Sequence, residues 1–402
     1  MRQPRVAHII GDLNGFGGTE ATLLRYIRAS AIPLSCHRVF VVRSAGEGDT
    51  LGAQMVRAGI DVRAMNQRPG LQSFTAIWRM AREVREFAPD IISGWLYVPA
   101  LLATLLSCLC PGRPRVMWHI RSLPFQRPLR KPMRYMVQKA LAVASRITHP
   151  VLVSNSRASV DAHIGIGFSG SAADWTIISN GIDDQVYFPS KYDAREVRAE
   201  LGIPSEALVI GCIGRVVPEK GYEDLFAALS AASSRLSTLS KPVFLVVAGN
   251  GAELQNEAFS QMAQQALPLE RVRLLGKRAD VPRLMRAFDM FVLPSRSESF
   301  PNALVEAMAS GIACVSTDAG QSRDVLNMPE FVARAGNPVE LVLVLERMLA
   351  LDFDALHSIG ERNRNRVSER YALRAMVNKF DALFHKTAGH KQYKESDVAS
   401  SQ

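Results

Sequence analysis

Two glutamates stand eight residues apart in the stretch ESFPNALVEAMASG, Glu298 to Gly311. Glu298 precedes a run with helical pattern, and Glu306 falls inside it between Val305 and Ala307. The strand-like MFVLP comes just before. Pro301 suits a first helical turn, where its missing N–H is not needed. The amides of Asn302 and Ala303 are then free to meet a phosphate at the positive end of the helix. Glu306 lies five residues in, about 7.5 Å along the axis at 1.5 Å per residue. That matches the reach from a nucleotide's phosphate to its ribose hydroxyls, which Glu306 could hold. Glu298 sits on the other side of the phosphate, where a transferred group would be. Taken alone, Glu306 is more commonly a helix carboxylate that snorkels or pairs with an arginine.

A second constellation is CIGRVVPEKG, Cys212 to Gly221, which follows a strand-like run. Arg215 and Lys220 fall at that strand's carboxyl end, on a turn shaped by Pro218 and Gly221. Two such cations can converge on a diphosphate, arginine by a fork and lysine as a point charge. The alternative is a surface loop with two solvated cations. A third is the first turn, IIGDLNGFGGTEATLLRYI, where Gly15, Gly17 and Gly18 precede a helix expected to start near Thr19, a good capping residue. Glycines there let backbone amides approach an anion. The GxGxxG spacing of a dinucleotide site is missing, and a tight turn alone explains the glycines equally well.

The elements that must position these residues alternate along the chain. RVAHII, HRVFVV, DVRAM, DIISGWL, RVMWHI, PVLVSNS and WTIISNG read as strands in the first half. ALVIGCIGRV, VFLVVAGN, VRLLGK, MFVLPS and IACVSTD do so in the second. Helical patterns lie between them. Apolar strands alternating with helices give parallel sheets covered on both faces, here in two series and so two doubly wound domains. Ligands bind at the carboxyl ends of the strands in such folds. The break falls in the polar stretch 180–206, which carries Pro189 and Pro204. A last helix is expected at about Leu373–Lys386.

The 402 residues are 48% hydrophobic and 21% charged, an ordinary globular composition. The five cysteines show no metal spacing and read as reduced thiols of a cytosolic protein. DFD at 352–354 mimics a metal-binding DxD but reads as part of a polar helix connection. The segment 91–110 is apolar and uncharged enough to resemble a membrane span. Gly94 and Pro99 divide it instead into a buried strand and a buried helix starting at Pro99. No signal peptide is read at the N-terminus.

The net charge of +10 has a location. No Asp or Glu occurs from Ile91 to Val160, which holds ten Lys and Arg. There Arg121, Arg127, Arg130, Lys131 and Arg134 interleave with Leu123, Phe125, Leu129, Met133 and Met136. That mixture suits the surface of an anionic membrane, or an acceptor; a solvated basic face is the alternative, and nucleic acid is disfavoured because no nucleic-acid motif accompanies the charge.

In order along the chain, GGTE, SNGID (179–183), GRVVPEKG, VVAGNGAE, LLGKRADVPRLMRAFDMFVLPS, ESFPNALVE and STDAG resemble the retaining GT-B glycosyltransferases of the group-4 type. The resemblance covers almost the whole chain. It implies a fold of two Rossmann-like α/β domains facing across a cleft: 1–185 for the acceptor and 186–370 for the nucleotide-sugar. A helix at 371–388 is expected to pack back toward the first domain, and a disordered tail at 389–402. It implies that Arg215 and Lys220 bind the donor diphosphate, with Asn302 and Ala303 at the phosphate. Glu298 would hold the sugar, Glu306 the ribose, and Gly18 would approach a phosphate. His119 in VMWHIRS looks like the family's active-site histidine, and Asn155 matches a position near the acceptor or sugar. Lys277, Arg278 and Val281 fall where the base docks. Two departures, Val98 where relatives often carry histidine and Pro301 where many offer an amide, bear on donor-sugar geometry.

The implied reaction moves a hexose or N-acetylhexosamine from a UDP-sugar, with a GDP-sugar as the alternative, retaining the anomeric configuration by front-face attack. It needs no cofactor and no metal. The acceptor would be a saccharide or polyprenyl-linked saccharide of bacterial polysaccharide or lipopolysaccharide biosynthesis. The enzyme would be cytoplasmic and peripheral at the inner membrane. A nucleotide-sugar epimerase of the same architecture and a non-enzymatic sugar-binding protein are the competing readings.

Overall fold

The computed structural model describes residues 2–14, 17–46, 50–65, 72–125, 132–238 and 241–389. They form two compact units. The first comprises the described residues of Met1–Gly181 and Leu373–Gln402, the second Ile182–Ala372.

The first unit holds a sheet of seven parallel strands: β1 Val6–Ile10, β2 His37–Val41, β3 Asp61–Ala64, β4 Ile91–Trp95, β5 Arg115–Ile120, β6 Val151–Ser154 and β7 Trp175–Ile177. Their order is β3-β2-β1-β4-β5-β6-β7, so the winding reverses between β1 and β4. β1 and β4 are buried along their whole length, as strands covered on both faces must be.

The segment suspected of spanning a membrane is β4 followed at once by the helix Tyr97–Leu109. That helix begins two residues before the expected Pro99. Leu96, at φ 70°, makes the reversal in a single residue. The close return explains Gly94: a Cβ there would lie 2.5 Å from the Pro99 carbonyl oxygen. No helix among the described residues is long and apolar enough to cross a membrane.

The helix Leu373–Thr387 completes the first unit. Its Phe380 and Phe384 are fully buried against Tyr26, His8 and Trp95. Asp381 anchors it, accepting from Tyr26 Oη at 2.8 Å, Ser30 Oγ at 2.6 Å and the Ala31 amide at 2.9 Å.

The second unit holds six parallel strands: β8 Leu208–Ile213, β9 Val243–Ala248, β10 Val272–Leu274, β11 Met290–Leu293, β12 Ala313–Thr317 and β13 Val332–Ala333. Their order is β10-β9-β8-β11-β12-β13, with the reversal between β8 and β11. Every strand expected from the sequence is present. β13, two residues long, is too short to show a pattern. Asp352 of the DFD stretch caps the helix Phe353–Arg370, its carboxylate accepting from the Ala355 amide at 2.8 Å.

Candidate functional site

In a doubly wound sheet the crevice at the reversal, at the carboxyl ends of the strands, receives the ligand. In the second unit that place lies past β8 and β11. After β8 the chain passes Arg215 and enters one tight turn, Pro218–Lys220, closed by Gly221 at φ 66°. A Cβ on Gly221 would lie 2.0 Å from the Pro294 carbonyl oxygen, so the loops after β8 and β11 touch through a glycine.

Lys220 Nζ donates to Glu298 Oε1 at 2.5 Å, and Ser295 Oγ donates to the same oxygen at 2.8 Å. Arg296 forks Asp224 with two bonds of 2.7 Å. The amides of Arg296 and Ser297 both donate to the Glu219 carbonyl. From β12, Thr317 Oγ1 donates to the Ser295 carbonyl. The Gly320 backbone presses on Glu298 so closely that a Cβ would lie 1.8 Å from its carbonyl oxygen. The loop that carries Glu298 is therefore fixed by both neighbouring loops. Arg215 is exposed, with no side-chain partner among the described residues.

The helix Asn302–Ala309 follows. Pro301, at φ −84° and ψ 76°, stands before it in an inverse γ-turn rather than inside its first turn. The Asn302 amide thereby donates to the Phe300 carbonyl at 3.0 Å. The expectation that this amide is free is corrected; among the described residues the Ala303 amide has no backbone partner. Glu306 is half-buried in the middle of the helix. Val281 opens the short helix Val281–Met285. Before it, Arg278 forks Asp280 at 2.7 and 2.6 Å and holds that carboxyl below its ordinary range.

In the first unit Gly18 is exposed at the start of the helix Gly18–Ala29, capped by Gly17 and not by Thr19. Gly15 lies outside the described residues, as do Arg127, Arg130 and Lys131 of the basic segment. Arg134 is exposed on the helix Pro132–Thr148. Asn155 directly follows β6 and is 3% exposed.

His119, in β5, is fully buried and stacks on Trp95 with ring centroids 4.0 Å apart. Burial, and secondarily the Arg121 charge, hold its pKa well below the usual value. Arg121 sits just past the end of β5 and is 5% exposed. Its Nη2 donates to Asn180 Oδ1 and to the Ile178 carbonyl. Burial pushes its pKa down to about 9, which leaves it charged at neutral pH.

Sequence reasoning missed three features: the Arg296–Asp224 fork, the seat that Thr317 and Gly320 give Glu298, and the burial of Arg121. Arg296 lies between the motifs MFVLPS and ESFPNALVE, and that proximity is the signal the sequence offers. In the sequence Arg121 reads as a surface cation because its segment is basic throughout.

The profile described as "Glycosyl transferases group 1" matches residues 193–366, and that of Glycosyltransferase Family 4 matches 16–186. The lipopolysaccharide core biosynthesis mannosyltransferase LpsB of Rhizobium meliloti is 31% identical over 267 residues, 63% of this chain and 72% of that protein. The chain belongs to the group 1 glycosyltransferases. The Escherichia coli UDP-Gal:alpha-D-GlcNAc-diphosphoundecaprenol alpha-1,3-galactosyltransferase is 28% identical over 213 residues, 52% of this chain and 53% of that protein. The chain spans about half the length of several other curated relatives it matches. The crystal structure of Anabaena Alr3699/HepE in complex with UDP and glucose superposes with a TM-score of 0.78 at 21% identity, covering 95% of this chain and 99% of that one. The fold is GT-B.

Proposed function

We propose that the protein transfers a hexose or N-acetylhexosamine from a UDP-sugar to a saccharide or lipid-linked saccharide in bacterial polysaccharide or lipopolysaccharide biosynthesis, with retention. The observation that carries this reading is the Lys220–Glu298 pair at the reversal of the second sheet. It joins a cation suited to a diphosphate with a carboxylate suited to sugar hydroxyls, at the place where such folds bind ligands. Relatives named for UDP-galactose transfer to a diphosphoundecaprenol acceptor and for lipopolysaccharide mannosyl transfer support the substrate classes.

In the proposed reaction an acceptor hydroxyl oxygen bonds to the anomeric carbon while the bond from that carbon to the diphosphate oxygen breaks, on the same face. The hydroxyl proton passes to the leaving diphosphate. Lys220 and the exposed Arg215 stabilise its growing negative charge, and the Ala303 amide adds a donor. Glu306 holds the ribose; Glu298, released by Lys220 when the diphosphate arrives, holds the sugar. Lys277, Arg278 and Val281 border the base. As the resemblance implies, Gly18 approaches a phosphate, His119 lies near the transferred sugar, and Asn155 lies near the acceptor or sugar. A radiolabelled or mass-resolved transfer assay with UDP-hexoses and polyprenyl-diphosphate sugars tests the reaction. NMR of the product's anomeric signal tests retention.

Peripheral attachment to an anionic membrane belongs to the same proposal. Met133, Met136, Val143 and Ile147 lie exposed along the helix Pro132–Thr148, at 61–73% of their full area. Val98, Leu101, Leu105 and Leu109 form a second exposed apolar row on the adjoining helix Tyr97–Leu109. Lys139 and Arg146 flank the first row, and Arg134 is exposed at the start of the same helix. Apolar rows beside cations are the chemistry of an interfacial helix.

A further inference from the structure

A buried cation normally faces an anion, because leaving it unpaired forfeits its hydration without return. Arg121 breaks this rule. It is 5% exposed, and its Nε and Nη1 have no hydrogen-bond partner among the described residues. The acceptors it does reach, Asn180 Oδ1 and the Ile178 carbonyl, are neutral and occupy only Nη2. Its own segment, Ile91 to Val160, contains no acid to neutralise it.

Aromatic rings limit how anything can approach. The guanidinium carbon lies 5.6 Å from the Trp95 ring centre and 5.7 Å from that of Phe380. Those contacts engage the π-face of the cation and leave the N–H edge to hydrogen bonds. His119, two residues earlier and so on the same face of β5, also has both ring nitrogens without a partner among the described residues. Arg121 stands at the carboxyl end of β5, beside β4, where parallel sheets present their ligands.

We propose that Arg121 is an oxyanion-binding residue of the first unit, its unpartnered edge serving a carboxylate or phosphate group of a substrate, with His119 beside it. The site itself does not depend on the transferase reading. Assigning the oxyanion to the acceptor rather than the donor rests on that reading. The group then belongs to an acidic or phosphorylated acceptor, and the diphosphate of the donor is the competing source.

The test is thermal stabilisation of the full-length protein by inorganic phosphate, by glucuronate and by UDP, for wild type, Arg121→Met and Arg121→Lys. Phosphate and glucuronate are also titrated with UDP saturating. Arg121→Met keeps an unbranched apolar stem beside Trp95 and Phe380, shorter by the guanidinium, and removes a buried charge, so it is expected to fold with an unchanged or higher Tm. Phosphate or glucuronate is expected to stabilise wild type whether or not UDP is present. Its apparent affinity is expected to fall on the order of tenfold or more in Arg121→Met and by less in Arg121→Lys.

A UDP shift that survives in Arg121→Met assigns the site to the acceptor. A UDP shift lost together with the phosphate shift assigns it to the donor diphosphate. An oxyanion response of wild-type size in Arg121→Met, or no response in wild type to phosphate, glucuronate or UDP that depends on Arg121, overturns the proposal. A phosphate response that needs Arg121 in a protein indifferent to every nucleotide would uphold the site while sinking the transferase reading.

Discussion

Lys220 and Glu298, 78 residues apart in the chain, form an ion pair at 2.5 Å where the two central strands of the second sheet end. The pair is mostly buried, with 23% of the lysine and 12% of the glutamate side chain exposed. It holds the lysine in place and neutralises its charge; in the proposed reaction that lysine then meets the donor diphosphate. Removing Lys220 as alanine is expected to lower kcat for transfer by on the order of 10²–10³, the scale for losing one pre-organised charge stabiliser. Steady-state kinetics with a fixed donor measures this. An unchanged kcat would remove Lys220 from the chemistry.

Gly320 is expected to be among the least replaceable residues of the loop. Its φ is +57°, and an added Cβ would lie 1.8 Å from the Glu298 carbonyl oxygen. Gly320→Ala adds left-handed strain of about 1–2 kcal/mol and overpacking of about 1–3 kcal/mol, and it moves the Glu298 backbone. Urea unfolding should show the loss of stability, and transfer activity should fall with it. A variant as stable as wild type would mean that the loop gives way more easily than its contacts indicate.

These two relationships show where the sequence was legible. The strands were readable because fully buried parallel strands are continuous apolar runs with little else to imitate them. The residues at their ends were nominated because glycine, proline and paired charges punctuate those runs. What could not be read was the side-chain geometry between distant segments. Nothing near Arg296 in the chain points to Asp224, 72 residues away. Pro301 was placed inside the helix, whereas its γ-turn uses the Asn302 amide. Arg121 looked like its basic neighbours because composition does not reveal which cation the strand end buries.

Acid is expected to weaken the first unit. His8, His37, His119 and His163 are all buried there, and burial lowers the pKa of each, to about 4 for His37 and His163. At His8 the Trp95 Nε1 donates to Nδ1, which favours the neutral ring; at His163 the bond from Nδ1 to the Ser159 carbonyl opposes the effect of burial without cancelling it. An imidazole held neutral in the fold gains a proton on unfolding below its ordinary pKa of 6.5. The unfolded chain then binds more protons, and stability falls as pH falls. For His37 and His163 the loss starts near pH 6.5 and is complete below about pH 4. At pH 5.5 it amounts to on the order of 1 kcal/mol each. Urea unfolding at pH 7.5 and 5.5 measures the difference, and equal midpoints would contradict it.

Membrane attachment should depend on both the apolar row and the cations of the helix Pro132–Thr148. Met133→Ser with Ile147→Ser, and separately Arg134→Glu with Lys139→Glu and Arg146→Glu, are expected to weaken co-flotation with vesicles rich in phosphatidylglycerol. Surface substitutions of this kind should leave Tm within about 1–2 °C. Flotation equal to wild type in both variants would leave that face without a membrane role.

The most direct test of the donor site is calorimetric titration of UDP, GDP and ADP into wild type, Lys220→Ala and Glu306→Ala. UDP is expected to bind in preference to the others, with affinity lowered by about tenfold or more in each variant, since each loses a hydrogen bond involving a charged group. Binding of UDP with wild-type affinity in both variants, or binding of no nucleotide by the wild type, would contradict the placement of the donor at the ends of β8 and β11.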